Sequence, residues 1–163
     1  MPTLEELSDQ GQLVKVDPLG DDELPWRTLY ATPDFIAWLE DGLPKLDHKT
    51  EYSDLTPLEQ VVAVLAEYAS GEDFFCDRRF KKLNCNPDHC VWEFKTEEVR
   101  IFGWAPSKNS FICCFGDGKD AIVALNKVGM YIARTVFVRT NIPLGEPKYL
   151  NGRNYEDVIS NKD

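Results

Sequence analysis

Residues 90–116, CVWEFKTEEVRIFGWAPSKNSFICCFG, decide the fold. Cys90–Thr96 and Val99–Ala105 are rich in aromatic and β-branched residues, with only Glu97 and Glu98 between them, and this predicts two strands joined by a tight turn. Ser110–Gly116 follows the turn formers Pro106, Ser107, Lys108 and Asn109 and predicts a third strand. On the middle strand, alternation puts Arg100, Phe102 and Trp104 on one face and Val99, Ile101 and Gly103 on the other. An arginine beside two aromatics fits either the rim of a core or a surface for something polyanionic and flat.

Upstream, Thr32 and Pro33 supply an N-cap and a first-turn proline for a helix carrying Phe35, Ile36 and Leu39, which Gly42 and Pro44 end. Thr56-Pro57-Leu58-Glu59 is a capping box, and it opens a helix with Leu58, Val61, Val62, Leu65 and Ala69 as its apolar stripe, stopped by Gly71. Downstream, Lys119 to about Thr140 reads as one helix weakened by Gly129, although Val136–Val138 suits a strand equally. Gln12–Val16 fits a short edge strand. The expected fold class is α+β, with two N-terminal helices on a small antiparallel sheet of three or more strands, then a C-terminal helix and an irregular tail. The expected organisation is a single domain: an acidic N-terminal extension (1–31), including the solvated run Asp21-Asp22-Glu23, a core (32–140) and a tail (141–163).

The 163 residues suffice to bury a core without disulfides or a metal. No stretch approaches the ~20 apolar residues of a membrane span. MPTLEELSDQ has neither the basic nor the apolar region of a secretory signal, so a cytoplasmic location is expected. The odd set of five cysteines, with Cys113 and Cys114 adjacent on a strand, reads as reduced thiols. Net charge is −10 but unevenly spread. Residues 1–75 hold 17 acids and 4 bases, 76–140 hold 7 acids and 11 bases, and 141–163 hold 4 acids and 3 bases. The strands thus lie in the one basic part of an acidic chain, as a nucleic-acid surface would, and as a mixed solvated surface also would.

The sequence lacks a P-loop, a GxGxxG run, a nucleophile elbow and an HExxH helix. Its two histidines, His48 and His89, have no supporting motif for nucleophilic catalysis. Cys85, His89 and Cys90, with Cys76 upstream, have irregular spacing for zinc, and a turn on Asn86-Pro87-Asp88 accounts for them better. No metal or other cofactor is expected. Phosphodiester chemistry by attack of an RNA 2′-hydroxyl needs cations around the charged phosphorus and a group to move a proton. Lys95, Arg100 and Lys119 come from the first strand, the middle strand and the turn after the third. Phe102 and Trp104 are candidates for base stacking, and Arg78, Arg79, Lys81 and Lys82, interleaved with phenylalanines, for phosphate contact. Against this stand a solvated basic loop at 78–82 and a plain cross-strand ion pair from Glu93 to Lys95 or Arg100.

The string VWEFKTEEVRIFGWAPSKNSFICCFGDGKDA resembles the RelE/HigB-like toxin superfamily, in particular its phage-derived branch. Trp92-Glu93-Phe94-Lys95, Val99-Arg100-Ile101-Phe102 and Lys119 carry the resemblance, which extends in element order over roughly residues 32–135. It implies a toxin-like α+β core and an mRNA interferase-type ribonuclease that cuts RNA without metal, typically on the ribosome, and is usually partnered by an antitoxin. Arg100 and Lys95 fall on the family's basic sheet positions and Lys119 on its basic turn. His89, at the entry to the first strand, is the one histidine near the sheet available to carry a proton. The chain departs from the family in its acidity, its long extensions and its lack of a clear histidine or tyrosine at the sheet's end. The alternative is a non-catalytic, phage-encoded interaction protein on the same fold, a host-factor inhibitor or assembly component, with residues 1–31 docked on a basic partner or over the Arg100 face.

Overall fold

The computed structural model describes residues 2–162 except Asp21, Asp22, Thr50, Tyr52, Cys85 and Asn86. The acidic run at 21–23 and Cys85 therefore fall wholly or partly outside the described residues. The elements are α1 (Leu4–Asp9), β1 (Val14–Val16), β2 (Thr28–Ala31), α2 (Pro33–Ala37), α3 (Pro57–Ser70), β3 (Phe80–Lys82), β4 (Trp92–Lys95), β5 (Val99–Trp104), β6 (Ser110–Gly118), α4 (Lys119–Leu125), α5 (Val128–Asn141) and α6 (Tyr155–Val158).

The expected architecture needs correction. The class is α+β, but the sheet is mixed and six-stranded, in the order β1-β2-β6-β5-β4-β3. β6, β5, β4 and β3 pair antiparallel in sequence, as does β1 with β2, whereas β2 runs parallel to β6. The first helices are short: α1 has six residues, and α2 has five before widening into a π-helical turn over Trp38–Gly42. Residues 1–31, read as an extension, supply two strands. The short edge strand expected at Gln12–Val16 is present as β1, whereas β2, with four residues, is too short for alternation to register.

The cap signals operate as the chemistry requires. Thr32 Oγ1 accepts the Phe35 N–H, and Thr56 and Glu59 form both halves of the capping box, at 3.2 and 3.0 Å. Gly71 ends α3 in the left-handed region at φ 87°. The expected apolar stripe of α3 is rotated, however. Val61, Val64, Leu65, Tyr68 and Ala69 are buried, and Leu58 and Val62 face outward. The single helix expected from Lys119 to Thr140 is two helices bent by 107°, and Val136–Val138 is helical. The break falls at Asn126 (φ 49°), a residue that tolerates the left-handed region, rather than at Gly129.

Two apolar layers sandwich the sheet. On one side Phe80, Phe94, Ile101, Phe111 and Cys113 pack beneath α3 around Tyr68, whose ring meets Phe94 edge-on at 5.3 Å. On the other, Trp104, Ile112 and Cys114 pack with Leu7 and Leu13, while Phe102 packs with Ile122, Tyr131 and Ile132. The alternation of the middle strand is bent by a bulge. The register slips between Phe102 and Gly103, so that Cys114 is passed over between Phe115 and Cys113. Gly103 allows it, since a Cβ there would lie 1.9 Å from the Ile112 carbonyl oxygen. Among the described residues, no single helix is long and apolar enough to cross a membrane.

Arg27, fully buried, donates to the carbonyls of Tyr68, Glu72 and Ser160 and to Asn161 Oδ1. Replacing it by leucine strands those acceptors, and urea unfolding should show a loss of about 3 kcal/mol. Arg27→Lys should recover only part of this, because an ammonium cannot reproduce the planar fork. Full recovery by lysine would show that charge, not geometry, is what the position requires.

Candidate functional site

The face of the sheet opposite α3 carries an unusual density of charge near the β3 edge. Register sets the arrangement: Lys81 lies opposite Glu93, Glu93 opposite Phe102, Lys95 opposite Arg100, and Arg100 opposite Asp117. Neighbouring strands run about 4.8 Å apart, so these side chains form two adjacent rows on one face. Phe102 stacks beneath the Tyr131 ring of α5 at 4.9 Å and 15°, which walls one side of the cluster.

Glu93 is the singular member. It is 7% exposed, and among the described residues its carboxylate has neither an ion pair nor a hydrogen bond. Burial pushes its pKa up, and Arg100, Lys95 and Lys81, in that order, pull against it without cancelling the rise. The carboxyl thus holds its proton more tightly than an exposed glutamate does, beside three cations. Arg100 is half-buried and lends two hydrogen bonds to the carbonyls of Thr96 and Val99, which fixes its stem against the β4–β5 turn. Burial lowers its pKa, and Glu93 and Glu97 raise it.

Asp117, opposite Arg100, is committed elsewhere. Its Oδ2 accepts from Tyr131 Oη at 2.6 Å and from Lys127 Nζ at 3.2 Å. Burial and that hydrogen bond raise the Tyr131 phenol well above its ordinary value, so it serves as a neutral donor. Glu98, five residues from Glu93, has the opposite fate. Burial favours its neutral form, but Lys49 N–H, His48 and Gln60 hydrogen-bond its carboxylate and together lower its pKa. It fastens the β4–β5 turn to α3 and to the segment before it.

The structure gathers some of the residues singled out in the sequence and scatters others. Lys95, Arg100 and Lys81 converge around Glu93. Lys119 opens α4, exposed, with its N–H on the Glu98 carbonyl, and Asp117 rather than Lys119 is paired with Arg100. His89 lies beyond the opposite end of β4 from Lys95. Its carbonyl accepts from Arg139, and its side chain borders a separate hollow with Tyr149 and Lys148. Phe102 and Trp104 are each 0% exposed, beneath Tyr131 and within the α1 cluster, with Trp104 Nε1 bonded to the Lys148 carbonyl. Neither presents a ring to a base, because strand alternation does not reveal which face a later helix will cover. Of the basic run, Arg78 is exposed, Arg79 pairs with Glu67 and Lys82 pairs with Asp88 at 2.7 Å, so Lys81 alone joins the cluster. The acidic cover that the alternative reading allowed is not formed by the described residues of 1–31: α1 packs near Trp104 and β1 edges the far side of the sheet from β3. Among the described residues no group of three or more metal-type ligands forms, and Cys90 Sγ donates to Asn151. The four described cysteines are free.

Glu93 was legible as a strand residue but not as a site. Its flanks, Trp92 and Phe94, are the one signal of burial, and only the partner strands show that no cation closes on it.

Because burial raises the Glu93 pKa, the stability linked to this group is fully present below its ordinary value of 4.5 and is lost as pH rises through the higher folded-state pKa. Glu93→Gln removes the loss. Urea midpoints across pH should therefore drift in the variant's favour relative to the wild type as pH rises. Drift the other way would mean that the cations hold Glu93 as a stabilising anion.

No family model, curated protein or solved structure matches this chain.

Proposed function

We propose that the chain is a metal-independent endoribonuclease of the RelE/HigB-like type, cleaving RNA by attack of a 2′-hydroxyl on the adjacent phosphate. One observation carries the reading: a nearly buried carboxyl, Glu93, with raised pKa and no bonded partner, sits among Lys81, Lys95 and Arg100 on a rigid sheet. A carboxyl tuned toward neutrality accepts a proton from a hydroxyl more readily than an exposed one. Fixed cations at the same spot meet the negative charge that develops on the phosphate oxygens. Glu93 takes the role of base, Arg100 and Lys95 hold the phosphate, and Lys81 guides the chain in from the β3 edge. This moves proton transfer from His89 to Glu93 and leaves Lys119 as a peripheral cation. The ribosome remains a candidate platform, since the resemblance implies one.

The second reading is a non-catalytic interaction protein, and it too rests on a particular feature. Leu58 and Val62 on the outer side of α3 and Leu55 just before it are 42–48% exposed, an apolar ridge suited to an antitoxin-like or host protein.

The two readings separate in one assay. Purified protein is incubated with RNA and chelator, with and without ribosomes. Arg100→Ala and Glu93→Gln should each lower cleavage by about 10²-fold or more. Intact RNA in both settings, together with a stoichiometric protein partner lost on Leu58→Glu, would favour the interaction protein.

A further inference from the structure

A second pocket opens on the other face of the same sheet edge, where β3 meets α6. It has a volume of about 260 Å³ and is bordered by Lys81, Lys82, Trp92, Arg153 and Tyr155. The sequence placed Trp92 in a strand, within the string that carries the resemblance, and gave it no site role. In the structure its ring is 2% exposed, stacked on Phe80 at 4.7 Å and flanked by Tyr155 at 5.9 Å. Its Nε1 is closed off from solvent and has no hydrogen-bond partner. An indole N–H is a donor only, and buried donors in folded proteins are nearly always satisfied. Trp104, also fully buried, shows the usual arrangement, bonded to a carbonyl at 2.9 Å.

The charges beside Trp92 indicate what acceptor is missing. Two of the acids near the pocket are committed, Asp77 to the Tyr155 hydroxyl and Asp88 to Lys82 at 2.7 Å, while Glu156 borders the pocket as an exposed side chain. The side chains of Lys81 and Arg153 have no ion pair or hydrogen bond among the described residues. The pocket therefore combines two uncommitted cations, an ion-paired lysine and an orphan indole donor around a space too small for a large molecule. A phosphate monoester answers all of these at once. It carries several acceptor oxygens and a charge that guanidinium and ammonium groups bind well.

We propose that this pocket binds a phosphomonoester, with one phosphate oxygen accepting the Trp92 indole N–H and the others facing Arg153 and Lys81. The ester is either that of a free metabolite or the terminal phosphate of a nucleotide. The pocket lies across the β3 edge from Glu93, because Trp92 and Glu93 are successive strand residues and point to opposite faces of the sheet, and Lys81 on the edge strand borders both. It does not require that RNA be cleaved.

The experiment follows the Trp92 indole cross-peak in ¹H–¹⁵N spectra of the full chain, identified by its loss in Trp92→Phe or by triple-resonance assignment. Inorganic phosphate and uridine 3′-monophosphate are titrated separately, with chloride at matched ionic strength as control. A saturable shift of this peak with phosphate compounds, absent with chloride, is expected. Arg153→Gln, a change at an exposed position, should weaken binding about tenfold while leaving the other indole peaks in place. Tighter binding of the nucleotide identifies a nucleotide-derived ester, and equal binding identifies the phosphate group alone as the ligand. A Trp92 peak that stays still, or that moves equally in chloride, overturns the proposal.

Discussion

A guanidinium sealed inside the protein without a carboxylate anchors this fold. Arg27 gives its protons to the carbonyls of Tyr68 (2.7 Å), Glu72 (2.9 Å) and Ser160 (3.1 Å) and to Asn161 Oδ1 (2.6 Å), between the rings of Tyr68 and Phe74. Two of these carbonyls belong to the last turn of α3 and the residues just after it, the negative end of the helix dipole, which offsets part of the cost of burying a cation. The bonds reach across 133 and 134 residues of sequence to the chain's far end. They place the start of β2 where Thr28 N–H can meet the Asn109 carbonyl, and Asn109 in turn exchanges bonds with Ser160. The parallel β2–β6 pairing, and with it the order of the sheet, grows from that junction.

The same sheet sets the two glutamates that flank the β4–β5 hairpin in opposite states. Glu98 enters a ready-made set of donors from His48, Lys49 and Gln60 and is held as an anion. Glu93 is buried among strands where the nearest cations act through space without bonding, so burial dominates. Two identical side chains thus acquire different chemistry from their neighbours alone. One fastens the turn, and the other has its pKa raised by burial. The pocket beyond the β3 edge follows from the same geometry, since alternation sends Trp92 one way and Glu93 the other.

What the sequence made legible is tied to local rules. Thr56 and Glu59 specify a capping box within four residues, and the structure forms it bond for bond. Ile101 and Phe102 alternate between two apolar layers as their spacing requires. What was not legible depends on partners far away in sequence. Phe102 and Trp104 share a face with Arg100, but whether they face solvent or α5 and α1 depends on helices more than twenty residues downstream or ninety upstream. β2 has four residues and no alternation to announce it, and it becomes a strand because β6 offers it a ladder.

The sequence by itself determined the starts of α2, α3 and α4, the three central strands and the concentration of basic residues around them. These are set by capping, propensity and alternation over a few residues. Tertiary structure alone decided the mixed six-stranded order, which aromatics are covered, and that Lys81, Lys95 and Arg100 surround Glu93 while His89 lies elsewhere. Those outcomes depend on strand register and on burial, and a pKa follows from what surrounds a group in space rather than from what precedes it in the chain.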